Sequence, residues 1–244
     1  MLSAILLWVN VATAEEPTIT VLFDQGHNQR FLIEEKGELQ LSGLAEILRG
    51  SRVTVKSTKS ALNAETLGAC NALVISGPFA ALLPEEVDAV IRFIEKGGRL
   101  AAMLHIGLPL AALLVRLDVD HSNAVLHERQ NVIDADINFR VKELASEPLF
   151  SGISQFSLYG AWALDPGSSA RSIARTSREA WVDLNGDKIL SKGDVVGEFT
   201  VAVSGSYGAG SFIIFGDDAI FQNRYLDDDN RKLATNLAAW LAGS

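Results

Sequence analysis

Apolar residues in the first half of the chain alternate between strand-like runs and helix-like spacing. Short runs rich in β-branched and aliphatic residues predict strands at residues 18–23, 52–56, 72–75 and 99–104. Apolar positions at helical spacing predict helices between them, at residues 39–48, 63–69 and 109–117, and one that starts at Pro84 and stops at Gly97. Strands that alternate with helices form βαβ units, so this pattern predicts a parallel sheet.

The end of the chain repeats the strand–loop–helix pattern. The apolar run at residues 212–215 breaks at Gly216 and is followed by helical spacing over residues 230–242. Residues 118–205 are less regular and hold several short β-rich runs, which predict a partly antiparallel β insertion that packs on or extends the sheet. We therefore expect residues 15–244 to form one α/β domain with three α/β/α layers and a mainly parallel sheet.

The first residues have the pattern of an export signal. Residues 2–11 are almost all apolar, and residues 12–14 read Ala-Thr-Ala before an acidic, polar stretch. An A-x-A end after a short apolar run predicts a signal peptide at residues 1–14, and therefore a periplasmic or extracellular protein. The usual basic residues before the apolar run are missing, and a buried first strand is the alternative. The run is too short to span a membrane as a helix.

Composition and charge narrow the range of partners. The chain has 244 residues, 48% of them hydrophobic, and is long enough for one large core. Its formal net charge of -9 argues against partners such as nucleic acid and anionic membranes.

The single cysteine, Cys70, cannot form an internal disulfide. It precedes a predicted strand, which favours a small buried hydrophobic residue over a reactive thiol.

Chemically useful side chains follow several predicted strands. In a parallel sheet the carboxyl ends of the strands share one edge, where ligands bind. The residues at these ends form a candidate ligand cleft: Asp24, His27, Asn28, Gly77, Pro78, His105, Asp217 and Asp218. An Asp/His/Asp set of this kind could bind a divalent cation or carry out acid–base chemistry. The alternative is that Asp24 and Asp217 only cap loops and helix starts.

One loop in the middle of the chain has the spacing of a calcium-binding loop. Oxygen-bearing groups occupy its first, third, fifth, seventh, ninth and twelfth positions: Asp183, Asn185, Asp187, the carbonyl of Ile189, Ser191 and Asp194. Calcium takes about six to eight oxygens, so the spacing predicts weak Ca²⁺ binding. Lys188 replaces the usual glycine at the sixth position, and the twelfth is Asp rather than Glu. A hairpin turn with solvated charges is the alternative.

The order of several segments also carries a family resemblance. The segments are residues 21–31, 72–78, 85–100, 181–187, 215–223 and 230–241. Their order resembles the class I glutamine amidotransferase-like superfamily, near the GldG-like auxiliary proteins of ABC transport and gliding systems. The resemblance implies a flavodoxin-like α/β/α fold. No Walker loop, no G-x-G-x-x-G after a strand and no G-x-S-x-G elbow is present.

The same resemblance bears on activity. Catalytic members of that superfamily place a nucleophilic cysteine after the strand that here ends at Leu104, and a His-x-Glu pair after the last strand. This chain has His105 at the first position and the pair Asp217 and Asp218 at the second. We therefore expect an exported, non-catalytic module that binds a small-molecule ligand or a protein partner, or assists assembly. The alternative function is a metal-assisted hydrolase that uses strand-end Asp and His residues.

Overall fold

The computed structural model describes residues 19–51 and 53–243. The signal peptide expected at residues 1–14 lies outside these ranges. Among the described residues, no helix is both long enough and apolar enough to cross a membrane.

Strands and helices alternate up to residue 116, and strands dominate from there to residue 215. The helices are α1 (Ser42–Gly50), α2 (Ala64–Gly68), α3 (Pro84–Glu95), α4 (Ala111–Arg116) and α5 (Asp228–Ala242). The strands are β1 (Thr20–Asp24), β2 (Thr54–Thr58), β3 (Ala72–Ser76), β4 (Arg99–Met103), β5 (Val119–His127), β6 (Asn138–Val141), β7 (Glu143–Leu144), β8 (Phe156–Tyr159), β9 (Trp162–Pro166), β10 (Ala170–Arg175), β11 (Trp181–Val182), β12 (Val195–Val196), β13 (Thr200–Tyr207) and β14 (Gly210–Phe215).

Side-chain caps mark the starts of two of these helices, α2 and α5. Asn63 precedes α2, and its side chain accepts hydrogen bonds from the N–H groups of Glu65 and Thr66. Asp227 caps α5 in the same way, by accepting from the N–H of Asn230. Side-chain oxygens at these positions satisfy N–H groups that have no partner inside the helix. These helix starts agree with the sequence pattern within two residues.

The sheet differs from the expected one. It has twelve strands, and its main path runs β12-β11-β5-β9-β13-β14-β4-β3-β1-β2, while β10 pairs with β13 and β7 pairs with β10. Strands β2, β1, β3, β4 and β14 are parallel neighbours, and every other pairing in this sheet is antiparallel. The prediction of a three-layer, flavodoxin-like fold with a mainly parallel sheet was therefore wrong: the fold is a sheet-rich one built on a mixed sheet.

The physical reason for the difference is a hairpin at the point where the parallel part of the sheet ends. β13 and β14 pair antiparallel from Ala202 and Phe215 to Tyr207 and Gly210. The hairpin lets strands of residues 118–205 extend the sheet beyond β14 in antiparallel pairings. β6 and β8 are the exception, because they form a two-stranded sheet of their own.

Helices cover both faces of the parallel strands. Val21 and Phe23 of β1 share a core with residues of α1 and α5 on one face. Leu22 shares a second core with residues of α2, α3 and α4 on the other face. Successive side chains of a strand point to opposite faces, so neighbouring residues of β1 enter different cores. Strand β3 is buried at all five positions, because helices cover both of its faces.

Candidate functional site

The carboxyl ends of the parallel strands meet at one edge of the sheet, as the sequence predicts. Asp24 is the last residue of β1, and Gly77 follows β3 directly. The N–H of Gly77 donates to the carbonyl of Met103 at the end of β4, at 3.0 Å. The N–H of Leu104 donates in turn to the carbonyl of Phe215 at the end of β14, at 3.0 Å. His105 and the Asp217–Asp218 pair therefore lie next to each other at this edge.

Asp24 and His27 belong to a buried chain of charged groups. Nδ1 of His27 lies 2.7 Å from Oδ2 of Asp24, and Nε2 lies 3.0 Å from Oε2 of Glu86. All three residues are buried. Burial disfavours the charged imidazole, but the hydrogen bonds and charges of Asp24 and Glu86 outweigh it and raise the pKa of His27 to about 9. His27 is thus an imidazolium held between two carboxylates at neutral pH.

This chain of charges connects three segments of the fold. The carboxylate of Glu86 also accepts from the N–H groups of Leu62 and Leu83, at 3.0 and 2.9 Å. It therefore ties the loop after β1 to the start of α3 and to the segment before α2.

Asn28 is exposed and has a φ of 59°, a left-handed conformation that asparagine tolerates. Asn28 shapes the turn, and its neighbour His27 has both ring nitrogens occupied.

Asp217 lies in a different environment from Asp24. Its carboxylate accepts from the N–H of Tyr159 at 2.6 Å and from the N–H of Ala219 at 2.8 Å. Burial, then the charge of Asp218, raises the pKa of Asp217 to about 8. The side chain holds the turn after β14, as the capping alternative predicts. Asp24, His27 and Asp217 do not form a group within metal-binding reach in the part of the chain that the structure describes.

His105 is the candidate residue that presents a reactive group to solvent. Its Nδ1 lies 3.0 Å from Oδ1 of Asp218, and the two side chains are 37% and 3% exposed. The hydrogen bond to Asp218 raises the pKa of His105. Burial raises the pKa of Asp218, and the imidazole of His105 opposes that rise. The buried carboxylate therefore fixes the ring and leaves Nε2 available to a ligand.

Aromatic side chains flank the imidazole of His105. The ring of Phe79 lies 4.7 Å from it and the ring of Phe31 lies 5.6 Å from it, centroid to centroid. The guanidinium of Arg30 lies 4.5 Å from the centroid of Phe79. Ligand sites commonly combine aromatic side chains with a few oriented hydrogen-bonding groups, and this cluster has both. We refer to His105, Asp218, Phe31 and Phe79 as the His105 cleft.

Two buried polar atoms beneath the cleft have no hydrogen-bond partner among the described residues. They are Oδ2 of Asp218 and Oγ of Ser76. Gly77 follows Ser76 with a φ of 55°, and a Cβ at Gly77 would overlap the carboxylate of Asp218. Only glycine therefore allows Asp218 to reach its place beside His105. Pro78, which is buried, follows immediately.

Gly77→Ala should consequently destabilise the protein by about 1 to 3 kcal/mol, because a left-handed alanine is strained and Asp218 must move. Urea unfolding followed by circular dichroism measures the change. Gly50→Ala is the matched control, since Gly50 ends α1, has no positive φ, and has no atom within 4 Å of the added methyl group. We expect that control to be neutral or slightly stabilising. Equal stability of the two variants would contradict the packing of Asp218 on Gly77.

Cys70 lies away from this edge. It precedes β3, at the amino end of the strand, and is half-buried. Burial raises the pKa of the thiol to about 11, which keeps it protonated at neutral pH. These features agree with an unreactive thiol.

The loop of residues 183–194 brings its acidic side chains together. Oxygen atoms of Asp183, Asp187 and Asp194 all lie within 4.8 Å of one another. Within residues 19–51 and 53–243, these three residues form the one group of at least three His, Cys, Asp or Glu side chains close enough to hold a metal ion together. Lys188 has a φ of 63°, which is the left-handed conformation that glycine adopts at this position of a calcium loop. The lysine therefore replaces the glycine without changing the turn.

Backbone N–H groups hold these carboxylates in place. Asp183 accepts from the N–H groups of Gly186 and Lys188, at 2.7 and 2.8 Å. Asp194 accepts from the N–H groups of Leu184 and Ser191, at 3.0 and 2.7 Å. The hydroxyl of Ser191 donates to Asp187, and the side-chain amide of Asn185 donates to both Asp187 and Ser191. Ile189 is exposed. The loop thus has a defined shape that keeps the three carboxylates close together.

Two features of the sheet edge could not be expected from the sequence. From the sequence, Glu86 is expected to stabilise the positive end of the α3 dipole. In the structure its carboxylate also binds the imidazole of His27. Phe79 carries no polar group and has no signal of a functional residue, yet it contacts His105. Both contacts join segments that are distant along the chain.

Solved structures with a similar fold cover most of this chain. The mmIFT52 N-terminal domain is 17% identical with a TM-score of 0.73, over 91% of this chain and 96% of that chain. Cytoplasmic protein STM1381 from Salmonella typhimurium LT2 is 16% identical with a TM-score of 0.61, over 91% and 99%. A ThuA-like protein from Bacteroides uniformis is 13% identical with a TM-score of 0.53, over 96% and 95%. At these identities the likeness concerns the fold alone.

Sequence comparisons place the chain in a family. No curated protein matches it. The family model DUF4350, described as a domain of unknown function, matches residues 34–238. The resemblance to the class I glutamine amidotransferase-like superfamily and its GldG-like branch was therefore wrong, because it rested on a segment order that any similar alternation of strands and helices would produce. With most of its length covered by this match, the chain belongs to the DUF4350 family.

Proposed function

We propose that the protein is an exported, non-catalytic binding module whose ligand or partner binds at the His105 cleft. The observation that carries the proposal is the half-exposed imidazole of His105, which is fixed by the buried carboxylate of Asp218. A positioned polar group costs little to order on binding, and this favours recognition. The position at the carboxyl edge of the parallel strands, where open α/β sheets bind their ligands, also supports it.

The chemistry of the cleft favours a ligand with an apolar face and a hydrogen-bonding group. Phe31 and Phe79 offer apolar contact, while Nε2 of His105 can donate or accept a hydrogen bond. The hydrogen bonds of His105 go to Asp218 and, through its backbone carbonyl, to Trp162. Within residues 19–51 and 53–243 no serine or cysteine is hydrogen-bonded to this ring, and this favours binding over covalent catalysis at the cleft.

Calcium is the proposed cofactor of this module. The three convergent carboxylates of the 183–194 loop support it. An extracellular calcium concentration in the millimolar range would suffice for a weak site, since extracellular modules bind with a Kd of about 10⁻⁴ to 10⁻³ M. The proposed export and the proposed calcium site are therefore consistent with each other. We expect the ion to order the loop rather than to take part in a reaction.

The metal-assisted hydrolase is less well supported. Asp24 binds His27, which also binds Glu86, while Asp217 accepts from two backbone N–H groups. A catalytic metal needs ligands that converge and leave a coordination position open. The partners of these three residues argue against that arrangement.

The proposed cleft predicts that His105→Ala will remove ligand binding without unfolding the protein. A library of small polar aromatic and alicyclic fragments, screened by saturation-transfer NMR, provides the probes. We expect a subset of fragments to bind wild type and to lose at least about tenfold in affinity in His105→Ala and in Phe79→Ala. Lys142→Ala, an exposed residue on another part of the surface, is the control. Fragments that bind all four proteins equally would refute the cleft as the recognition site.

A further inference from the structure

A cavity lies on the face of the sheet that α5 covers, at the end of the strands away from the His105 cleft. Its volume is about 220 Å³. Strands β10, β13 and β14 form its floor, the segment Glu147–Leu149 forms one wall, and Trp240 of α5 forms another. The sites of drug-sized ligands have volumes of about 300 to 1,000 Å³, so this cavity suits a smaller molecule with a single ring.

The strand register turns one set of side chains towards this cavity. Ser204 pairs with both Arg171 and Ile213, and Ser206 pairs with Ser211. Residues that pair across two strands point to the same face, as do residues two apart along one strand. Ile213 belongs to the core beneath α5. The three serines and Arg171 therefore lie on the α5 face, where all four line the cavity.

Helix α5 brings Trp240 to the same cavity. The side-chain amide of Asn236 donates to the carbonyls of Leu149 and Ser151, both at 2.9 Å, and so fixes the helix against that segment. Trp240 follows one helical turn later and therefore lies on the same side of α5 as Asn236. Its ring is partly buried against the core, and its N–H is a hydrogen-bond donor. The cavity thus has an aromatic wall.

The charged groups of the cavity neutralise each other. Arg171 and Glu147 both line it, and they form an ion pair. In the part of the chain that the structure describes, no other Asp, Glu, Lys or Arg lines it. A cavity without net charge favours neither an anion nor a cation. The ion pair still offers N–H donors and carboxylate lone pairs to a neutral ligand.

One buried atom beside the cavity lacks a partner. Oγ of Ser204 is buried and has no hydrogen-bond partner within residues 19–51 and 53–243. A buried hydroxyl without a partner costs free energy, which a hydroxyl group of a bound molecule would recover. Because Ser204 lines the cavity, a change of its χ1 rotamer can turn Oγ towards such a molecule. A purely apolar ligand would leave all three serines of the floor without partners.

We propose that this cavity binds one ring of a neutral sugar. The apolar C–H face of the ring packs on Trp240. The hydroxyl groups of the ring bond to the serines of the floor and to the Arg171–Glu147 pair, because a hydroxyl can both donate and accept. This site is separate from the His105 cleft and does not depend on it.

Titration of D-glucose, D-galactose and D-mannose against the full chain tests the proposal, with calorimetry and saturation-transfer NMR as readouts. At least one of the three sugars should bind wild type with a Kd of about 1 to 10 mM. That sugar should bind at least about tenfold more weakly to Trp240→Ala, which loses the aromatic wall. Cyclohexanol, a ring of similar size with one hydroxyl group, should bind at least about tenfold more weakly than the sugar.

Ser204→Ala separates binding from folding. Because the variant loses a hydroxyl that has no partner, its melting temperature should equal or exceed that of wild type. Its affinity for the sugar should nevertheless fall by at least about threefold. Ser60→Ala makes the same change at an exposed residue after β2 and should keep wild-type affinity.

Disaccharides distinguish a free sugar from the end of a longer glycan. Maltose, lactose and mannobiose end in glucose, galactose and mannose, respectively. Tighter binding of the disaccharide than of its monosaccharide would support the proposal with a glycan end as the ligand, and equal or weaker binding would support it with a free sugar.

Three results would overturn the proposal. The first is that none of the three sugars binds at about 100 mM. The second is that the sugar binds wild type, Trp240→Ala and Ser204→Ala with equal affinity. The third is that cyclohexanol binds as tightly as the sugar, because the cavity would then recognise an apolar ring rather than its hydroxyl groups.

Discussion

Calcium at about 10 mM should raise the melting temperature of the protein by about 3 to 10 °C, and Asp187→Asn should abolish the rise. The expectation rests on the carboxylates of Asp183, Asp187 and Asp194, which lie within 4.8 Å of one another. The left-handed backbone of Lys188 matches the conformation that glycine adopts at this position of calcium loops. Without metal the three charges repel one another, and an ion would relieve that repulsion.

The magnitude follows from mass action. An ion that binds only the folded state with a Kd of about 10⁻⁴ to 10⁻³ M adds about 1.4 to 2.7 kcal/mol to the free energy of unfolding at 10 mM. For a domain of this size each kcal/mol corresponds to about 2 to 4 °C. Thermal unfolding with calcium and with a chelator measures the shift.

Asp187→Asn is the informative variant because Asp187 is exposed and its replacement is isosteric. Without calcium it should melt at or slightly above the wild-type temperature, since one repulsive charge is gone. That result separates loss of the ion from damage to the loop. Glu46→Gln, an exposed residue of α1, is the charge control and should respond to calcium as wild type does. A wild-type melting temperature that calcium leaves unchanged would support the hairpin-turn alternative.

The predictable part of the fold is the part with strong local periodicity. Strands β1 and β3 are apolar runs that end at turn-forming residues, and α3 has proline at its start and glycine after its end. The antiparallel half lacks such signals. β7, β11 and β12 have two residues each, and β5 alternates irregularly between buried and exposed positions. Short strands are stabilised by their neighbours, which the local sequence does not specify.

The sequence predicts where the candidate site lies in the fold, but it does not predict which side chains contact each other there. The parallel strands bring Asp24, His105 and the Asp217–Asp218 pair to one edge, as their positions in the sequence predict. The partner of each side chain depends on long-range packing: His27 binds Glu86, 59 residues away. Asp217 and Asp218 are chemically identical neighbours, yet one binds backbone N–H groups and the other binds His105. Their different partners result from the path of the backbone after β14, which directs the two side chains to different neighbours.

The free energy of unfolding should fall by about 3 kcal/mol more in wild type than in His27→Gln between pH 6 and pH 10. The folded-state pKa of His27 is about 9, against 6.5 for a free histidine. A tenfold difference in proton affinity is worth about 1.4 kcal/mol, which gives this magnitude. Because the folded state binds the extra proton, the stabilisation is complete below pH 6.5 and is lost as the pH rises through 9.

Chemical unfolding at a series of pH values measures this difference. At pH 6 His27→Gln should be less stable than wild type by about 3 to 5 kcal/mol, because Asp24 and Glu86 remain buried without their cation. The gap should narrow steadily above pH 6.5 and be small above pH 9. Subtracting the variant removes the contributions of Asp217 and His105, whose raised pKa values also make stability fall with pH. A gap that stays constant from pH 6 to 10 would mean that His27 is neutral between its two carboxylates, and that the buried chain is held by hydrogen bonds alone.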